Sequence, residues 1–328
     1  MITILGLTLY YYTTSESSWR ESTLHVARGN ITVGRVQHNS SLSDIFFLET
    51  GGHGVITARM ACAVESASKI HPNWTVHLLS VGGDGHGRND STRRFVNLLA
   101  TFQNVVLSDI KPIEEFERTP LHTWYKLGVL NSSSYPVVHL ADALRLAVLY
   151  MRGGVYLDID VVVLRPLDSL GSFVSQSPAE GGDMVSNGFL AFHRGDPFLL
   201  ELMKQASEVY EPEKWNSIGP LLLRNVTLAY CDQQRVKELV GHRCGGDEGF
   251  TVLDHRKFLP LHYDESEMFF SANASKKAWR MSKGSYVMHV YGKMTSKMLT
   301  EPGSAYRQAA EAYCPESLRL SLDFDGTF

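Results

Sequence analysis

Residues 137–167 read VVHLADALRLAVLYMRGGVYLDIDVVVLRPL, and the change of hydrophobic period half-way along them decides the fold. Pro136 stands where a helix can start without losing a hydrogen bond. After it Val137, Leu140, Ala141, Leu144, Ala147, Val148 and Met151 recur at the three- and four-residue spacing of one helix face. Asp142 and Arg145 interrupt that stripe on the same face. Gly153 and Gly154 end the helix, because glycine tolerates the left-handed conformation there. Val155-Tyr156-Leu157, continued by residues 161–164, then predicts a strand of β-branched and aromatic residues with Asp158 and Asp160 set inside it.

Two carboxylates in a strand are costly unless their charge is compensated. Side chains at i and i+2 of an extended chain point the same way, so Asp158 and Asp160 are expected to converge with Ile159 turned away. Mn²⁺ or Mg²⁺ would remove the repulsion through the oxygen ligands it prefers, and would then attract the phosphates of a nucleotide. The bland reading is a polar turn with both carboxylates solvated. Apolar strand residues on both sides, the Asp/Arg helix and the Gly-Gly stop favour the metal. For Asp142 and Arg145 the bland reading is a surface ion pair that steadies the helix, worth at most about 1 kcal/mol.

Working outward, residues 44–48 form a continuous apolar run that suits a strand buried on both faces. Glu49, Thr50, Gly51 and Gly52 follow it, where an open α/β sheet places its ligand crevice. Met60, Val64, Ala67 and Ile70 mark a helix ended near Pro72; residues 76–81 read as a strand, 93–101 as a helix and 105–107 as a strand. This alternation predicts an α/β fold with a doubly wound, mostly parallel sheet. A short helix is expected over residues 119–125 with Trp124 in the core. Beyond Leu167 the pattern loosens: Asn187-Gly188 reads as a turn, residues 198–210 and 218–226 as helices, Asp247-Glu248 as a solvated loop, and residues 286–291 as a strand that delivers His289.

The charge balance, 31 Lys and Arg against 35 Asp and Glu, gives no basic stripe, so nucleic acid is not an expected partner. Seven of the asparagines (Asn30, Asn39, Asn73, Asn89, Asn131, Asn225 and Asn273) begin an N-x-[ST] sequon without proline. Sequons matter only in the secretory pathway, so the set predicts a lumenal protein. Cys62, Cys231, Cys244 and Cys314 permit disulfides there; three pairings, or four buried thiols, are open from sequence. Residues 1–12, MITILGLTLYYY, are apolar but shorter than the roughly 20 residues of a membrane helix. Residues 13–43 read as a stem, 44–316 as the globular domain and 317–328 as a tail.

The run DALRLAVLYMRGGVYLDID resembles the donor-binding core of glycosyltransferases with a DXD sugar-binding region, and within them the α1,4-glycosyltransferase family. FFLET at 46–50, VESASKIHP at 64–72, TPLHTWY at 119–125, SNGFLAF at 186–192, Gly219-Pro220 and HVYGK at 289–293 carry the same likeness in order. The resemblance implies a GT-A fold with an irregular C-terminal acceptor-side part. It implies a retaining transfer of galactose or an N-acetylhexosamine from a UDP-sugar to a glycan, a glycosphingolipid above all, in α1,4 linkage. Asp158 and Asp160 would hold Mn²⁺ or Mg²⁺ with His289 as third ligand; Asp142, Arg145, Tyr156, Asn187 and Lys293 would bind the donor. It further implies Cys231–Cys244 and Cys62–Cys314 bridges and a Golgi membrane protein of type II topology; residues 1–12 then read either as the remnant of its anchor or as a plain apolar N-terminus. Where the family has Trp-Asn, this chain has Tyr291-Gly292. Two rival readings are a non-catalytic sugar-binding relative and an aspartyl-phosphate phosphatase that uses Asp158 as nucleophile.

Overall fold

The computed structural model describes residues 6–10, 21–25, 42–52, 54–82, 89–246 and 249–328. Gly6–Tyr10 and Glu21–His25 pair antiparallel inside an N-terminal unit of residues 1–39. Most of the stem, the Asn30 and Asn39 sequons and the Asp247-Glu248 loop lie outside the described residues. The unit of residues 40–328 holds the strands β1 (Asp44–Glu49), β2 (Thr75–Val81), β3 (Val105–Ile110), β4 (Gly154–Leu157), β5 (Val161–Val163), β6 (Phe173–Ser177), β7 (Met184–Phe192), β8 (Arg243–Cys244), β9 (Phe250–Leu253) and β10 (Val287–His289). Among the described residues, eight of these make one sheet in the order β3-β2-β1-β4-β7-β6-β9-β8. The first four are mutually parallel, whereas β7 runs antiparallel to both β4 and β6.

Strand β1 shows why the sheet is covered on both sides. Ile45 and Phe47 enter one apolar layer, with Ala61, Val64 and Ala67 of α1 (Ala58–Ile70) and Phe95 and Leu99 of α2 (Asp90–Leu99). Phe46 and Leu48 enter the opposite layer, with Leu144, Ala147 and Val148 of α4 (Pro136–Arg152) and Leu199 and Leu202 of α5 (Pro197–Val209). Alternate side chains of one strand thus feed two cores, the arrangement of a doubly wound sheet. Helices α3 (Leu121–Lys126) and α6 (Pro220–Tyr230) complete the second layer. Trp124 lies there as expected, edge-on to Tyr210 at 5.1 Å.

Three expectations change. The predicted strand through Asp158 and Asp160 is two strands in two sheets: β4 ends at Leu157, the chain bends, and β5 leaves the main sheet to pair with β10. Asn187-Gly188 is not a turn but lies within β7, where its register against β6 shifts. Residues 317–328 are largely helical: α8 (Pro315–Asp325), preceded by α7 (Ala305–Tyr313), docks on α1. A buried carboxylate explains that docking. Glu65 of α1 accepts the N–H groups of Glu316 and Ser317 at 3.0 and 2.7 Å, satisfying free donors of the first turn of α8.

Two disulfides are present, Cys62–Cys314 and Cys231–Cys244. The first ties α1 to the junction of α7 and α8 one turn away from Glu65.

Candidate active site

The strand order reverses direction between β1 and β4, since the chain proceeds outward from β1 through β2 and β3 and returns at β4. Ligands of open α/β sheets bind beyond the carboxyl ends of the strands at such a point. Asp158 is the residue that follows β4 there. Helix α4 reaches it because Gly153, at φ 72°, turns the chain back at the helix end, and Gly154, at φ 121°, passes so close to Asp44 that a side chain would collide with its carbonyl oxygen.

The bend at 158–160 presents both carboxylates to one point. Oδ1 of Asp158 accepts the Tyr156 hydroxyl at 2.9 Å and the Arg145 guanidinium at 3.3 Å. Asp160 meets Nε2 of His289 at 3.0 Å through Oδ1 and the Gly292 N–H at 2.6 Å through Oδ2. One ligand atom each from Asp158, Asp160 and His289 lie within 4.8 Å of one another. Burial alone would raise the Asp160 carboxyl, but the His289 imidazole and the Gly292 N–H outweigh it and hold the group below the usual range. His289 shows the converse: burial lowers it and the facing carboxylates raise it further. Its Nδ1 is buried and has no hydrogen-bond partner, so the imidazole has capacity unused by the protein. Two oxygens and an imidazole nitrogen form a donor set that suits Mn²⁺ and admits Mg²⁺.

Arg145 organises the other half of the site. Its Nη1 donates to the Asn187 carbonyl at 2.7 Å as well as to Asp158, its Nη2 lies 3.1 Å from Asp142, and its Nε donates to the Ala141 carbonyl. The guanidinium also stacks 4.6 Å over the Tyr156 ring. The Asp142–Arg145 pair is therefore buried, with side chains 4% and 7% exposed, and is not the surface pair of the bland reading. Asn187 donates its amide to Oδ1 of Asp142 at 2.7 Å, while Oδ2 of Asp142 is buried without a partner. Burial, with a contribution from the Asp158 charge, pushes the Asp142 carboxyl above its ordinary range despite Arg145. Burial likewise pushes the Tyr156 phenol far up, so it stays a hydrogen-bond donor. Lys293 stands exposed in the one-turn helix Gly292–Thr295 and joins no side-chain hydrogen bond or ion pair among the described residues.

Three backbone features were missed by sequence reasoning. A Cβ on Gly188 would lie 2.3 Å from Oδ2 of Asp158, and one on Gly219 would lie 2.4 Å from Oδ2 of Asp142. Both glycines keep open the space in front of a carboxylate. Tyr291 adopts the left-handed conformation at φ 53°, uncommon for a bulky residue. That conformation aims the Gly292 N–H at Asp160, and the Tyr291 ring packs edge-on to His289 at 4.3 Å. The Tyr-Gly pair had marked the place, without its conformation.

Residues 57–175 match the model of the glycosyltransferase sugar-binding region containing the DXD motif, and residues 191–321 match that of the alpha 1,4-glycosyltransferase conserved region. Along most of its length the chain is similar to the α1,4-glycosyltransferases. It is 29% identical over 290 residues to human lactosylceramide 4-alpha-galactosyltransferase, covering 87% of this chain and 80% of that one. It is 27% identical over 281 residues to human alpha-1,4-N-acetylglucosaminyltransferase, covering 84% and 79%. A solved structure titled PaToxG Glycosyltransferase overlaps 57% of this chain and 69% of its own at 19% identity and a TM-score of 0.46. By these two family models and these relatives the protein is a glycosyltransferase, and its fold is the α/β, mostly parallel sheet described above. The phosphatase and the non-catalytic readings give way to it.

Proposed function

We propose that this glycosyltransferase moves galactose or an N-acetylhexosamine from a UDP-sugar to a glycan acceptor, a glycosphingolipid in particular, forming an α1,4 linkage with retention. The observation that carries the reading is the convergence of Asp158, Asp160 and His289 at the switch point of the sheet. These three residues would hold Mn²⁺ or Mg²⁺, which when bound supplies positive charge for the leaving diphosphate. Arg145 holds Asp158 and Asp142 in register. The unpartnered Oδ2 of Asp142, with Gly219 leaving room before it, would accept a hydroxyl of the donor sugar. Asn187 fixes the Asp142 carboxylate from the other side, and exposed Lys293 would meet donor phosphate. The two disulfides and the exposed sequons at Asn73, Asn131 and Asn273 support a lumenal, Golgi-membrane location.

The test is UDP release from a panel of UDP-sugars by protein from a secretory host, with and without chelator. Asp160→Asn is expected to lose transfer while its melting temperature stays near that of the wild type. Full transfer by that variant, or undiminished transfer in chelator, would refute the metal assignment; UDP release from none of the sugars would refute the donor class.

A further inference from the structure

The site described above uses one end of the β5–β10 pair. Val161 pairs with His289 at that end and Val163 with Val287 at the other. The far end opens into a depression of about 720 Å³ next to Leu164, four residues or roughly 13 Å of extended chain from Asp160. Its buried floor includes Leu164, Ser282 and Ser285.

The walls are cationic. Lys276 and Arg280, four apart, share a face of the short helix Ser275–Met281, and Lys283 lines the same depression from the turn after it. Arg165 faces the same space from the segment after β5. No acidic side chain lines the depression, and none of these four cations has an ion-pair partner among the described residues. Trp279 is held in the wall by its indole N–H, which donates to Gln308 of α7 at 2.8 Å, and Tyr313 adds a second ring. The Ser282 hydroxyl, on a residue only 4% exposed, has no hydrogen-bond partner in the protein.

Like charges at helical spacing oppose one another, and on a convex face water would screen them. A concave wall instead focuses their field on the space they enclose. Two guanidinium groups offer paired donors to tetrahedral oxyanions, two ammonium groups add point charges, and the volume falls in the small-molecule range. The aromatic rings supply a flat apolar surface of the kind a ring scaffold covers. We propose that this depression binds a compact polyanion, phosphate or sulfate groups carried on a polyol ring, separately from the nucleotide-sugar site. The same chemistry is offered by a free molecule and by the head group of an anionic lipid.

Calorimetric titration of the full chain with inositol trisphosphate tests the assignment, with inositol as uncharged control. Binding is expected for the trisphosphate alone, and to weaken at least about tenfold in the Arg280→Ala/Lys283→Ala variant. Asp160→Asn and saturating UDP should leave it unchanged. Arg165→Gln, at an exposed position, gives an independent second variant, and the melting temperature of each is checked. Co-sedimentation with phosphatidylcholine vesicles containing a phosphatidylinositol phosphate distinguishes the sources. Pocket-dependent binding of both probes supports a lipid head group, and of the soluble probe alone a free ligand. No binding of either, binding indifferent to the pocket variants, or competition by UDP would overturn the proposal.

Discussion

Replacing Gly188 by alanine should separate the chemistry of this enzyme from its folding. The added Cβ would sit 2.3 Å from Oδ2 and 2.9 Å from Cγ of Asp158, whereas ordinary contact begins near 3.4 Å. The carboxylate must therefore retreat by about 1 Å, the difference between those two distances, and a misplacement of that size at a reacting centre costs about 100-fold in rate. The Asp158 side chain is 32% exposed, so it has somewhere to go. It would weaken its bonds to Tyr156 and Arg145, costing roughly 1–2 kcal/mol of stability. Gly219→Ala sets the contrast, because its Cβ would lie 2.4 Å from Oδ2 of Asp142, a side chain that is 4% exposed and cannot withdraw into water. Steady-state kinetics of UDP release at varied Mn²⁺ and varied donor would read both variants. Gly188→Ala should lose about 100-fold in kcat and need more Mn²⁺; Gly219→Ala should raise the donor KM and lower the melting temperature further. Transfer by Gly188→Ala within about threefold of wild type, with unchanged Mn²⁺ requirement, would refute the placement of Asp158.

Other consequences are as direct. Arg145→Lys should reduce transfer by at least about tenfold while UDP binding with Mn²⁺ persists, because one ammonium cannot replace bonds to Asp142, Asp158 and Asn187 together; near-normal kinetics would remove Arg145 from the site's architecture. Glu65→Ala should lower stability by about 3 kcal/mol in denaturant titration, since it strips a charged acceptor from the N–H groups of Glu316 and Ser317; Glu65→Gln should recover part of the loss. His71 gives a pH dependence whose sign is fixed. Burial lowers its folded pKa below the ordinary 6.5, and Nε2 accepts the Leu167 N–H, which requires the neutral ring. Its contribution is complete above about 6.5 and is lost as pH falls through that value toward the folded pKa, by at most about 1.4 kcal/mol per unit; His71→Gln should flatten that acid limb in melts between pH 7 and 5.

Much of this was legible in the chain. The period of α4, the Gly-Gly stop and the apolar runs of β1, β2 and β4 are local signals and predict those elements; that Asp142, Arg145, Tyr156 and Asp158 share one site was implied by the family resemblance, and the structure brings the four side chains into contact. What failed was the assumption that one apolar run is one strand. Whether residues 161–163 continue β4 or cross to a second pair depends on β10, more than a hundred residues later, and no local pattern contains that partner. The Asn187-Gly188 misreading has a similar cause: turn chemistry is local, but the pair lies inside β7 at the irregularity in its register against β6, where the Gly188 carbonyl accepts the Asp158 N–H at 2.9 Å. The buried state of the Asp142–Arg145 pair was likewise invisible, because it arises from packing against Asn187, Gly219 and Tyr156.

The crossing of β5 to β10 also sets an order of events during synthesis. Asp158 and Asp160 leave the ribosome early, but the imidazole and the backbone N–H that position Asp160 come from Gly292 and its neighbours, 132 residues later. At 5–20 residues per second that is a delay of roughly 7 to 26 s. Throughout it the growing chain has its donor-side carboxylates and no completed cation site. On the proposed function, a nascent chain would be mute toward nucleotide sugars until its last third folds back, and any truncation upstream of β10 should be silent however well its sheet forms.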